Sequence, residues 1–160
     1  MPRRIAEATL RAAVATHQVF VDTALVEKDH RLHLTDIAIA DIALRGARLQ
    51  GALFVRCAFN KCDWCGVDLS QVSFTDCVFS DTQLRGARLF KTTIQSCGFS
   101  YVDFSGVSFH SGQISDTQFS SCTFRGALWT AAKISYCNLS TCEGLVLSDH
   151  DLLLESVKIL

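Results

Sequence analysis

Cysteine, histidine and arginine offer the most chemistry in this chain of 160 residues, which carries 8 Cys, 5 His and 15 Lys or Arg. Cys62-Asp63-Trp64-Cys65 spells C-x-x-C, the spacing of half a tetrahedral zinc site or of a redox-active dithiol. A zinc site needs a second pair at similar spacing, and none follows. His30 and His33 lie close together, and His150 sits between Asp149 and Asp151. Neither group has a nucleophile or a second metal half-site beside it. There is no phosphate-cradling glycine loop, no dinucleotide turn and no serine elbow. No nucleophile, base and orienting group can be assembled, so the reading is a protein that is not an enzyme and takes no metal or cofactor.

Spacing gives the other cysteines a different meaning. Cys57, Cys62, Cys77, Cys97, Cys122, Cys137 and Cys142 are separated by multiples of five, and only Cys65 falls outside that frame. Every fifth residue from Leu44 through Phe54, Phe59 and Trp64 to Ile134 and Leu139 is large and apolar, twenty in succession. Leu34 and Ile39 extend the column backward and Gly144 ends it, and nine of the 11 Phe lie within it. Two residues before each member stands a small or β-branched residue, among them six of the seven cysteines, and Cys142 continues the same frame. A period of five is neither the 3.6 of a helix nor the 2 of a strand. It describes a unit with two inward positions, one small and one large, and three positions facing water. The cysteines are then small buried apolar residues, with Cys62 pointing in and Cys65 pointing out.

A longer period overlies the first. Gly46, Gly66, Gly86, Gly106 and Gly126 recur every twenty residues, and the segments 44–49 and 84–89 are identical. Twenty is four units of five, so each unit makes one face and four close one coil. Residue n then stacks on n+20, and the glycine column marks a corner that needs positive φ or close backbone approach. Strand spacing sets the coils about 4.8 Å apart, so five coils make a rod about 24 Å long.

This pattern resembles the pentapeptide-repeat family, over residues 34 to 143 in an unbroken frame. The resemblance implies an all-β fold, a right-handed quadrilateral β-helix or solenoid of about five coils, with short helical or extended terminal caps. Cys57-Ala58-Phe59 and Cys77-Val78-Phe79 are similar to units of the quinolone-resistance, gyrase-interacting branch. Asp or Asn precedes the large residue only at Asp63, Asp68, Asp103 and Asn138, a departure from the family's usual unit.

Stacking at twenty also places the surface residues. Arg45, Arg85 and Arg125 share a column, Arg48 and Arg88 share the next face, and Lys91 lies beside them. Asp63, Asp68 and Asp103 occupy the intervening coils. Such columns read either as ladders of opposite charge or as an edge that meets an acidic partner. Phe90 is the one Phe of the repeats outside the core column. It is an exposed aromatic between Arg88 and Lys91, with His110 stacked next to it and Leu128 near, a composition suited to a binding hot spot. Tyr101 and Tyr136 point outward on other faces.

The ends read as caps. Residues 1–33 form an N-terminal cap, helical over 3–16 and extended around Val19-Phe20-Val21. Residues 144–160 form a C-terminal cap or dimerisation segment. There Ser148 and Asp151 begin a short helix through Leu152, Leu153, Leu154 and Val157, with Ile159 and Leu160 at its end. The ending resembles the C-terminal dimer segment of the gyrase-interacting branch, which implies a homodimer.

Composition bounds the function. The chain is 49% hydrophobic and 19% charged, with a formal net charge of -1, so nothing steers it to nucleic acid or an anionic membrane. It lacks a signal-peptide core and a spanning apolar run, which gives the cytoplasm as its expected place. The expected function is a non-catalytic protein-binding scaffold or adaptor presenting rigid faces to a protein partner. The resemblance implies an alternative, a DNA-mimicking protein that interacts with a type II topoisomerase and protects it from inhibitors. Charge opposes that alternative, because residues 44–143 hold nine Lys or Arg against seven Asp or Glu, whereas duplex DNA is negative along its length.

Overall fold

The computed structural model describes residues 2–23, 31–149 and 151–160. His30 and His150 lie outside the described residues. From Ile37 to Leu139 both inward positions of every five-residue unit are buried, and the outward positions between them, Ser135 excepted, are half-buried or exposed. The inward frame read from the period of five is the frame of the core.

The chain winds as a right-handed quadrilateral β-helix of about six turns, capped by one helix. Face one stacks β2 (His33–Thr35), β4 (Leu53–Val55), β6 (Ser73–Thr75), β8 (Thr93–Gln95), β10 (Gln113–Ser115), β12 (Lys133–Ser135) and β14 (Leu153–Glu155). Face two stacks β1 (Arg3–Arg4), β3 (Ile37–Ala40), β5 (Ala58–Asn60), β7 (Val78–Ser80), β9 (Gly98–Ser100), β11 (Gln118–Ser120), β13 (Asn138–Ser140) and β15 (Lys158–Ile159). Both sheets are parallel, and between coils their register is an offset of twenty, as in Phe59↔Phe79 and Phe79↔Phe99. Faces three and four are held by single bridges, Ala43↔Asp63 to Thr123↔Glu143 and Arg48↔Asp68 to Ser108↔Leu128.

Corners explain the unit of five. A residue of positive φ recurs at each corner, for example Arg56 (φ 50), Lys61 (φ 50) and Gly66 (φ 67). This turn directs the corner N–H along the rod, where it donates to the next coil, as Arg56 N to Thr75 O at 2.9 Å and Lys61 N to Ser80 O at 3.0 Å. The left-handed conformation costs a side-chain-bearing residue about 1–2 kcal/mol, yet eighteen non-glycine residues adopt it. The ladder bond outweighs the strain, since a buried N–H without an acceptor costs about as much or more. Only face three reserves its corner for glycine, the column Gly46 to Gly126.

Inside, the rings stack as the coils do. Phe59, Phe79, Phe99 and Phe119 follow one another at 4.4, 4.7 and 5.0 Å between centroids. Phe109 lies on Trp129 at 4.2 Å. The cysteine column is woven into this stack. Cys57, Cys77 and Cys97 sit one above the other, and Cys77 Sγ donates to the carbonyls of Phe54 and Thr75. Burial pushes the thiol of Cys122 up to about 12. All eight cysteines are free thiols.

The two ends depart from the expected caps. At the N-terminus α1 (Glu7–Thr23) is longer than expected, and Val19-Phe20-Val21 is helical, not extended. Leu10, Val14 and His17 are buried at helical spacing, and docking this stripe on the first coil overrides the strand preference of the β-branched pair. His17 Nδ1 accepts the Leu32 N–H at 3.0 Å. Arg3–Arg4 precede the helix as a strand on β3.

At the C-terminus the expected helix is absent. Leu153-Leu154-Glu155 pair with Lys133-Ile134-Ser135, and Lys158-Ile159 pair with Asn138-Leu139. The open edges of β12 and β13 offer a ladder already in register, and Asp151 turns at φ 61 as another corner. The large column therefore does not end at Gly144. It continues through Gly144 and Asp149, whose carboxylate accepts the Trp129 N–H, to Leu154 and Ile159. Gly144 is obligatory at its place, since a Cβ would lie 2.5 Å from Arg125 Cγ and 3.0 Å from the Arg125 backbone.

Candidate docking surfaces

Faces three and four carry the arginine columns, and they differ in how those cations are answered. On face three, Arg45 pairs with Asp63, Arg85 with Asp103 at 3.7 Å, and Arg125 with Glu143 at 2.9 Å. Each carboxylate lies eighteen residues on, on the next coil. Asp63 shows the balance of forces. Its partial burial works to raise its pKa, but hydrogen bonds from Cys65 and the Arg45 guanidinium outweigh this and hold it below the ordinary carboxylate range. Face three is a charge ladder.

Face four differs at Arg88. Arg48, Asp68, Arg88, Ser108 and Leu128 form one column. Asp68 accepts Gln50 Nε2 at 2.9 Å and the Ser70 N–H at 3.0 Å. Arg88 comes within 3.9 Å of the same carboxylate, an ion pair without a hydrogen bond, as is Arg85 with Asp103 on face three. Beside it, Phe90 and His110 are stacked at 5.4 Å and 10°, and Lys91 Nζ stands 5.0 Å from the Phe90 ring centre. Phe90 is therefore half-buried, not the fully exposed aromatic expected, because His110 and Lys91 cover it. Leu128 remains 54% exposed. Arg88 and Leu128 stand in the column of face four, and Phe90, His110 and Lys91 cluster toward its corner, where Lys91 has φ 53. Arg45, Arg85 and Arg125 lie on the adjacent face.

The C-terminal coil presents the other apolar surface. Leu153, Leu154, Ile159 and Leu160 are exposed, Leu160 to 80%. Leu152 and Val157 are half-buried against the core. Tyr101 and Tyr136 both lie on corners and point outward, and Tyr136 Oη donates to Glu155 at 2.8 Å.

Two further features escaped the sequence reading. Asp36, Asp76 and Asp116 share one corner column beside face two, and Asp41 and Asp81 share the other. Arg56 stands between Asp36 and Asp76 and makes a bidentate bond to Asp36 at 2.7 and 2.8 Å. The forty-residue spacing of those aspartates was visible in the sequence, as for the arginines. The second is a groove of about 290 Å³ between α1 and the first coil, lined by Arg11, Val14, Gln18, Arg45 and Ala47 among others. Both of its cations are paired, Arg11 with Glu7 and Arg45 with Asp63. Among the described residues no group of three or more His, Cys, Asp or Glu is arranged to hold a metal ion. No helix there is long and apolar enough to cross a membrane.

Comparison with known proteins agrees with this architecture. The family model of the pentapeptide repeat region matches residues 52–129. Among solved structures, trypsin-treated QnrB1, a plasmid-mediated fluoroquinolone resistance protein, is similar at a TM-score of 0.55 and 19% identity, over 84% of this chain and 86% of that one. Rfr23, a pentapeptide repeat protein from the cyanobacterium Cyanothece 51142, is similar at a TM-score of 0.50 and 11% identity, over 81% and 84%. A search of curated proteins finds no significant match.

Proposed function

We propose that the chain is a pentapeptide-repeat protein, as the family model over residues 52–129 supports, and that it is a non-catalytic scaffold that docks a protein partner on face four of its rod. One observation carries this reading. Phe90, His110 and Lys91 are stacked into a fixed cluster beside Arg88 and an exposed Leu128, on a β-helix face that needs no ordering to bind. Aromatic and arginine side chains held rigid in this way are the usual anchors of protein interfaces. The interior is filled by the ring and cysteine columns and offers no room for a substrate. The partner meets the scaffold in the cytoplasm, where its thiols stay reduced.

The C-terminal coil extends the proposal to a homodimer. Leu153, Leu154, Ile159 and Leu160 make an apolar end, and two such ends joined about a two-fold axis would cover each other.

Affinity capture with wild-type protein and with the F90S and R88E variants tests the docking face. A discrete partner retained by wild type and lost by both variants, at unchanged thermal stability, supports it. A partner retained by both variants sinks it.

A second reading is interaction with a type II topoisomerase by DNA mimicry. The aspartate columns at the corners of face two favour it, because they gather Asp36, Asp41, Asp76, Asp81 and Asp116 on one side of the rod. Similarity to QnrB1, described as a fluoroquinolone resistance protein, points the same way. A gyrase supercoiling assay with and without a fluoroquinolone decides. Inhibition or drug protection at low micromolar protein, lost on D76K/D81K substitution, establishes mimicry, and no effect from folded protein removes it.

A further inference from the structure

We propose that face four recognises an acidic peptide segment in a polyproline II conformation, with a carboxylate and a large apolar side chain three residues apart. The proposal rests on the reading of face four as the docking surface and names the class of partner.

Charge selects the sign. On face three each arginine has a carboxylate of its own, so an acidic ligand would have to displace an existing pair. On face four, among the described residues, Arg88 has one carboxylate within 4 Å, that of Asp68, whose oxygens already accept Gln50 and Ser70, and Lys91 lies over the Phe90 ring. The Arg88 side chain stays 75% exposed. A carboxylate arriving here gains two cations and displaces no short ion pair.

Spacing selects the conformation. Arg88 and Leu128 stand in one column, linked through the Arg88↔Ser108 and Ser108↔Leu128 bridges. Two coil steps separate them, about 9.6 Å at strand spacing. A polyproline II segment returns to the same side every three residues and rises about 9.3 Å in doing so. A β-strand repeats its side after two residues, about 6.6 Å, and misses the column. A helix returns after seven residues, about 10.5 Å, a poorer match. A segment of the form Glu-x-x-Leu along the rod axis thus sets its carboxylate at Arg88 and Lys91 and its leucine on Leu128. Single-stranded nucleic acid fits less well, because it needs open aromatic faces for its bases. Phe90 already has its ring against His110, with the Lys91 ammonium over it.

The test uses the full chain and three labelled peptides. The first carries Glu-Pro-Pro-Leu. The second has the same composition with Glu and Leu two residues apart. The third replaces Glu by Lys. Binding is followed by fluorescence anisotropy at low salt and mapped by amide chemical shifts. The first peptide should bind at least about fivefold tighter than the second, the Lys peptide should not bind, and R88E should abolish binding while L128S weakens it. Equal binding by the first two peptides overturns the conformational claim. Stronger binding by oligothymidylate than by either overturns the peptide claim. Absence of any shift on face four, while F90S and R88E still lose a captured partner, overturns the acidic class and leaves the docking face standing. Shifts confined to other faces overturn the docking face itself.

Discussion

The two ends of the rod solve the same problem in opposite ways. Every coil buries its inward residues only because another coil lies above and below it, so the first and last coils each leave one side bare. At the N-terminal end α1 covers that side, leaving Leu10 1% and Val14 6% exposed. At the C-terminal end β14 and β15 add one more coil on β12 and β13, with Leu154 47% and Ile159 61% exposed. The difference teaches that coil stacking is self-templating but not self-terminating. A change of secondary structure closes the stack, whereas another strand renews the open edge.

The largest expected effects test the closed end. Leu10→Ala should lower unfolding stability by about 2–4 kcal/mol, as for other fully buried leucines, and Leu154→Ala by less than about 1 kcal/mol. Urea titration followed by Trp64 and Trp129 fluorescence measures both. Equal losses would mean that the ends are not different in kind. Next is the joint at which the last coil leaves the regular corners. Gly144→Ala should cost about 2–3 kcal/mol, because strain at positive φ adds to the clash with Arg125. Gly126→Ala, with open space around its Cβ, should cost only about 1 kcal/mol.

The open end gives a smaller effect on stability and a clear one on association. L154E/I159E should change unfolding stability by less than about 0.5 kcal/mol yet turn a dimer into a monomer by sedimentation. A wild-type monomer would leave the end simply exposed. Thiol labelling sharpens the comparison along the length. In native protein an alkylating reagent should reach only Cys65 and Cys142, which are half-buried, while the buried thiols wait for unfolding. Cys142 lies toward the open end and should react faster in the monomeric variant.

The smallest effect is on pH. The Arg56 hydrogen bond holds the Asp36 carboxyl below its ordinary value. A pKa lowered by folding contributes stability that is present above the unfolded value and is lost as pH falls through the folded one. The urea midpoint should therefore drift down below about pH 4, and the drift should be shallower in Asp36→Asn. An unchanged slope would mean that the pair contributes nothing measurable.

Particular residues show what was legible before the fold was seen. Every member of the column from Leu44 to Leu139 is buried, because a period of five over a hundred residues has few physical solutions. The same arithmetic set Asp63 on the coil next to Arg45 but left open whether they pair or whether the arginines face an acidic partner. The C-terminal coil was misread because Leu152-Leu153-Leu154 has no period of its own and a leucine run suits a helix. What makes it a strand is the free edge of β12, which is not a property of those residues. Phe90 was placed on the right face, but its half-burial depends on rotamers of His110 and Lys91. The corners were recognised only at glycine, since nothing in Arg56, Tyr101 or Tyr136 announces a positive φ.

The offset of twenty has a mechanical consequence. One coil advances the rod by about 4.8 Å but holds twenty residues, which extend to roughly 65–70 Å. Pulled from its C-terminus along the axis, the molecule should shed its chain one coil at a time, each release lengthening the tether more than tenfold over the rod it consumes. The coil of β14 and β15, paired on one side only among the described residues, gives way at the lowest force. Pulled from the N-terminus, β1 and then α1 must peel first. The same rod is thus soft from one side and stiff from the other, a directional resistance that a chain of identical coils without a cap would lack.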